Sequence, residues 1–339
     1  TYGGEGVVSG IYQKTSFSLG GFHFTTDGFR ENAGQRDEIA NVFVQRELSP
    51  QTSIQAEYRY RNAEHGDVQQ RFFPEDIFPG LTDELESNSI RLGGRHALSP
   101  DSVLLGSFIY KDEDDRFRTD DFPEPGSFTD IKVPENAFSV EIQHLFRSRY
   151  LNLQTGAGYV GVDAQFDITF GFPEPDPIEI RSVTDQDLQH VNAYGYAYVQ
   201  LLKNMTATLG LSFDSLSGDE DVDKDQVNPK LGITWTPFAG TTLRAAAFRV
   251  LTRTLITDQT LEPTQVAGFN QFFDDVPLTE AWRYGGAIDQ KFTSSLFGGV
   301  EFSKRELTVP ILDVLDPFNP VNRDVDWNEY LGRAYLFWT

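Results

Sequence analysis

The run Asp219-Glu220-Asp221-Val222-Asp223-Lys224-Asp225 places an acid at every second position, as a calcium-binding loop does. A helix–loop–helix calcium site would then need Gly after Asp225 and Glu at the loop's end. The chain has Gln226 and Gly232 there. Asp219, Asp221, Asp223 and Asp225 therefore read first as a solvated acidic outer loop and second as a loosely held divalent-cation site. No resident cofactor is expected. His23, His65, His96, His144 and His190 are dispersed without ligand spacing, and no serine sits in a nucleophile-elbow context. An enzyme is not expected.

A second group of charges is more ordered. Arg59, Arg61, Arg91, Arg95, Arg244, Arg283, Lys291 and Arg305 fall on the polar side of alternating segments, and Glu57, Glu141, Asp289 and Glu301 share those sides. In a membrane wall such charges would cost about 2–4 kcal/mol on the lipid side at the midplane, so they are expected to line a lumen. Two readings stand together. Opposite charges could pair across neighbouring strands as structure, or the ladder could set the selectivity of a passage.

The elements that would position these residues are strands. In Ile54-Gln55-Ala56-Glu57-Tyr58-Arg59-Tyr60-Arg61 the apolar and polar residues alternate strictly, which a period of two resolves onto opposite faces of a sheet. A helix would scatter the same charges all round. The pattern recurs over Phe138–Phe146, Thr206–Phe213, Trp282–Lys291 and Tyr330–Trp338; it is less clean around Val42 and Leu243.

Short turns are expected at 13–15, 49–51, 99–101, 147–149, 203–204, 237–240 and 293–294. Long polar connections are expected at about 28–37, 64–86, 112–135, 170–187, 215–227, 256–279 and 308–325. Short and long alternate throughout, as an antiparallel up-and-down transmembrane β-barrel requires. This all-β reading gives about fifteen strands in a single domain over 1–339. Because bacterial single-chain barrels use even strand numbers, at least one strand is expected before Thr1, for sixteen or more in all. The last strand, ending Leu336-Phe337-Trp338, suits an outer-membrane terminal strand. It also resembles Trp235-Thr236, which precedes a turn, so a continuing chain is equally compatible.

Composition narrows the function. The formal charge is −23, with no basic block, which excludes wrapping around nucleic-acid phosphates. Cysteine is absent, so thiolate chemistry and disulfides are excluded. Aromatics make up 13% of residues although mean hydropathy is negative, and no run approaches the roughly 18 apolar residues of a transmembrane helix. A barrel reconciles these facts, because only its outer face meets lipid. Most surplus acid falls in the long connections, at 112–115, 120–121, 174–176, 219–225 and 274–275, where it could bridge lipopolysaccharide through divalent ions or simply keep loops soluble. Phe72, Phe73, Phe78, Phe122, Phe172, Phe269, Phe272 and Phe273 suggest loops that pack on one another or fold into the mouth.

One stretch has a family likeness. Asn228-Pro229-Lys230-Leu231-Gly232-Ile233-Thr234-Trp235, followed by Thr242-Leu243-Arg244-Ala245 and Phe248-Arg249, resembles a hairpin of TonB-dependent receptor barrels. Leu261-Glu262-Pro263 and Glu280–Phe302 resemble that family's next loop and hairpin. The likeness covers about a quarter of the chain. It implies an outer-membrane barrel passing a solute or polymer, with a periplasmic energy-coupling or assembly partner. The family's plug domain and TonB box do not occur in 1–339 and would lie upstream. The strand count is also similar to that of polysaccharide-export porins with periplasmic tetratricopeptide repeats, a likeness of architecture alone. A surface anchor with adhesive loops is the third reading. No connection reads as a compact plug, so the lumen is expected to conduct, with the aromatic loops narrowing only its mouth.

Overall fold

The computed structural model describes all residues except 71–72, 74–76, 121–124, 173–177, 220–222, 274 and 314–320. Twelve strands run in sequence before the one long break: β1 Tyr2–Tyr12, β2 Thr15–Thr26, β3 Gln35–Ser49, β4 Thr52–His65, β5 Thr82–Ser99, β6 Ser102–Asp120, β7 Phe128–Arg147, β8 Leu151–Phe172, β9 Ile178–Leu202, β10 Met205–Gly218, β11 Asp223–Phe238 and β12 Thr241–Leu251. Two short strands, β13 Gln265–Val266 and β14 Phe269–Asn270, pair within the connection that follows. The wall then resumes with β15 Glu280–Lys291, β16 Leu296–Asp313 and β17 Val321–Trp338.

The wall is one 15-stranded sheet in strict sequence order, every neighbour antiparallel. Among the described residues β1 pairs only with β2, and β17 only with β16. The 252–279 connection touches Arg91 on β5 and Arg305 on β16 through Gln259 and Asp275. One short segment reaches both because the sheet curls around it. The core of the molecule is therefore inside the curl, not between two layers.

Alternation sets the two faces. Tyr58, Ile90, Tyr110 and Leu209 are exposed on the outside, where lipid would lie. Across the wall, Tyr58 pairs with Ile90 and Ile90 with Tyr110. The Tyr58 and Tyr110 hydroxyls donate at 2.7 Å to Asn88 and Asn136, which lie just beyond the apolar band. An aromatic ring ending in a polar hydroxyl suits the boundary between hydrocarbon and water.

All seven short turns fall where the alternation places them, but four long connections are shorter than expected. Much of 112–135, 170–187, 215–227 and 308–325 continues the strands past the apolar band. Asp112–Asp115 belong to β6 and pair with Val133–Asn136 of β7; Asp223 and Asp225 pair with Ser217 and Ser215. Both faces of these extensions meet water, so the period-two signal vanishes while the backbone ladder persists. Exposed ion pairs take over, such as Arg116 to Asp130 and Arg181 to Asp167, each held by two hydrogen bonds of 2.7–3.0 Å.

Candidate functional site: the occupied lumen

Residues 252–279 run inward from the end of β12. Ile256–Asp258 form one tight turn in which Thr257 and Asp258 both adopt left-handed backbone, φ 58° and 56°. That geometry is strained for a β-branched residue and persists only where its surroundings hold it. β13 and β14 then form a hairpin around Ala267 (φ 47°) and Gly268 (φ 84°), the positive-φ pair of a type I′ turn. Apolar burial seats this hairpin. Val266, Phe269 and Phe273 pack with Tyr194, Tyr196, Phe248 and Val250 of β9 and β12, while Ile256 packs with Ile109, Ala137 and Val160.

Two wall glycines make room for it. A Cβ on Gly285 would lie 2.3 Å from the Phe269 ring, and one on Gly232 would lie 2.8 Å from the Ala267 Cβ. Gly232 belongs to the Asn-Pro-Lys-x-Gly stretch noted in the sequence. Its lack of a side chain has a concrete reason here.

Polar groups fix the inserted segment. Arg253 donates to Asp214 Oδ1 at 3.2 Å and meets Glu262 Oε2 at 2.9 Å, with all three side chains nearly fully buried. Asp214 also binds His190 Nε2 at 3.0 Å and accepts from Asn228 Nδ2 at 2.7 Å. Tyr196 donates to Glu262 at 2.6 Å, and the buried Lys230 donates to Gln271 at 2.5 Å. Burying so many charges is tolerable only because each has opposite charge or hydrogen-bond partners.

The residues picked out by the sequence divide into four groups. Arg283, Arg244, Asp289 and Glu301 come together near the hairpin. Arg244 donates to Asp289 at 2.7 Å and to Glu301 at 3.4 Å, and Arg283 donates to the Asn270 carbonyl at 2.7 Å. Glu141 accepts from Thr260 Oγ1 at 2.6 Å and from the Leu261 amide at 2.5 Å. Glu57, Arg59, Arg61, Arg91 and Arg95 lie on β4 and β5, away from the hairpin. Lys291 stands at the end of β15 over the Phe297 ring, and Arg305 bridges Asp275 and Glu329.

The acidic run is not a compact cluster. Asp223 and Asp225 lie in β11, Asp219 accepts from the Asp187 amide at 3.1 Å, and Asp221 lies outside the described residues. Acids do crowd there: the Asp163 carboxyl holds Asp187 above the usual carboxylate range, and Asp219 pushes the same way. Among the described residues, no three His, Cys, Asp or Glu side chains are placed to share a metal ion. Phe72 and Phe122 also lie outside the described residues.

One expectation is corrected: the 252–279 connection is not a mouth loop. It packs down the lumen because its aromatics and charges find complementary partners on the inner wall. Arg253, Asp214, Lys230 and Tyr196 carry that contact and escaped notice singly. The signal available was a lone charged residue on an inward face, Lys230 between Asn228 and Gly232 or Asp214 between Ser212 and Leu216.

The family model described as TonB dependent receptor-like, beta-barrel, matches residues 12–289. No curated protein matches the sequence. The fold is similar to the ferric yersiniabactin uptake receptor of Yersinia pestis, with TM-score 0.75 at 12% identity over 98% of this chain and 56% of that one. It is also similar to the ferric preacinetobactin receptor of Acinetobacter baumannii, with TM-score 0.71 at 10% identity over 99% and 57%. The copper transporter OprC gives 0.74 at 10% over 99% and 57%. The chain thus spans a little over half the length of these solved receptors. The match across most of its strands places this outer-membrane chain in the TonB-dependent receptor-like β-barrel family.

Proposed function

We propose that the chain is the barrel of a gated outer-membrane transporter whose own 252–279 connection obstructs the lumen, and that it is not an enzyme. The observation that carries this reading is the burial of Arg253, Glu262, Phe269 and Lys230 inside the wall. A passive pore would keep such a lumen wet. A purely structural barrel would have no need to hold a strained turn and a charged network at its centre. Gated release also supports a periplasmic energy-coupling partner, with a solute or polymer as cargo and lipopolysaccharide against the acidic outer extensions.

Gly232 gives the test. A Cβ there would lie 2.8 Å from the Ala267 Cβ, so Gly232→Leu should push the hairpin off the inner wall. In the whole protein, folded and heat-modifiable, this variant should raise ion conductance in planar bilayers above the wild type. Equal conductance in the two folded proteins would contradict the reading.

A further inference from the structure

The inserted segment does not fill the lumen evenly. Its hairpin packs on β9, β12 and β15, while Ile256–Leu261 are what approaches β5 to β7. Two cavities lie between this part of the segment and β4–β6. One of about 210 Å³ sets Arg59, Arg61, Arg91 and Lys111 against Glu57, Glu113 and Asp258, with Gln259 beside them. The other, of about 310 Å³, is lined by Gln55, Arg91, Arg95, Ser107, Gln259 and Leu261. Both include Arg91 and Gln259, which hydrogen-bond to each other. That contact divides one lane into an outer and an inner chamber.

The charges along the lane are unequal. Arg61 is matched by Asp37 through two bonds of 3.0 and 3.2 Å, Arg91 by Glu57, and Lys111 by Glu113 at 2.7 Å. Arg59 and Arg95 have no carboxylate partner among the described residues, and both are exposed. Arg59 stands opposite Ser89 and Arg95 opposite Ser53 in the ladder. At about 3.3 Å per residue the six-residue step from Ser89 to Arg95 puts the two free guanidinium groups roughly 20 Å apart along the wall. One serves each chamber. In a chain of net charge −23, a lane with surplus positive charge stands out against the acidic exterior.

We propose that this lane is a binding track for an anionic solute bearing carboxylate or phosphate groups. Arg59 receives it in the outer chamber, Arg95 receives it in the inner one, and the Gln259–Arg91 contact is the narrow point between them. Guanidinium forks suit both groups, because two parallel N–H donors match two anionic oxygens. The inference rests on the transport reading but predicts binding, which is measured separately from passage.

The probe is carboxyfluorescein, a carboxylate-bearing dye, followed by fluorescence anisotropy with the whole protein folded in detergent. The wild type should bind it, more weakly as salt rises. Arg59→Gln with Arg95→Gln should weaken binding about tenfold, the loss of roughly one charge-assisted hydrogen bond. Arg181→Gln, in the exposed β9 extension, should change nothing, and heat-modifiable migration would show that each variant is folded. Failure of folded wild type to bind, or equal binding by the double variant, would overturn the track. Either result would leave the gated-barrel reading to its own conductance test.

Discussion

Arg253 and Glu262 meet at 2.9 Å inside the barrel, with 2% and 1% of their side chains exposed. Both belong to the connection between β12 and β15, so this pair closes the inserted segment upon itself. Arg253 then reaches out to Asp214 of β10, which ties the closed segment to the wall.

Arg253→Leu should therefore leave Asp214 and Glu262 buried without the guanidinium between them, with Lys230 still 3.9 Å from Glu262 Oε1. Removing one partner of a buried pair costs about 3–5 kcal/mol, enough to undock a segment without unfolding the wall. Protease cleavage within 252–279 should rise sharply while the barrel still migrates as folded. Unchanged resistance would mean that apolar packing alone holds the segment.

The wall predicts a contrast between outside and lane. Leu209→Arg should impair membrane folding by about 2–4 kcal/mol if it lies near the midplane. Ser89→Glu faces the lane opposite Arg59 and should be mild; urea titration in lipid vesicles measures both. Thr208, which the alternation alone would make a mild site, is 4% exposed, so Thr208→Arg should also be damaging. Equal penalties at Leu209 and Ser89 would count against the assigned faces.

Topology can be read with single cysteines. Ser217→Cys on the extended β10 edge should react on intact cells with an impermeant thiol reagent, and Lys203→Cys at the β9–β10 turn should not. Gly218 is unsuitable, because a Cβ there would lie 2.4 Å from the Asp187 carbonyl. Stronger labelling at residue 203 would invert the barrel.

The extensions should loosen in acid. The Arg116 hydrogen bond holds Asp130 below the usual carboxylate range, so its contribution is present at neutral pH and is lost as pH falls through that lowered value. The pair is partly exposed and is worth at most about 1 kcal/mol. Amides of the β6–β7 tip should exchange faster once Asp130 protonates, and Arg116→Gln should reproduce that rate at neutral pH. Identical rates in both would remove the pair from the account.

The wall was legible in the sequence because lipid imposes a face. Ile54–Arg61 and Trp282–Lys291 alternate since one side must be apolar, and their turns follow. Past Tyr110 and Phe138 that demand ends, so Asp112–Asp115 read as loop although their backbone stays in the ladder. The inserted segment was harder for another reason. Phe269 and Phe273 announced packing, but the wall groups that hold the segment, Asp214 for Arg253, Lys230 for Gln271 and Tyr196 for Glu262, stand on strands far away in sequence. Parity sets the ladder arginines on one side of their strands, yet it cannot tell Arg59, which has no carboxylate partner among the described residues, from Arg61, held by Asp37.

The central claim is that residues 252–279 close the lumen. It is tested most directly by replacing 256–277 with a short glycine–serine link in the whole protein and recording single channels in planar bilayers. The account predicts a folded, heat-modifiable protein with stepwise conductance several times that of the wild type. Equal conductance in the two folded proteins would show that the segment does not close the barrel.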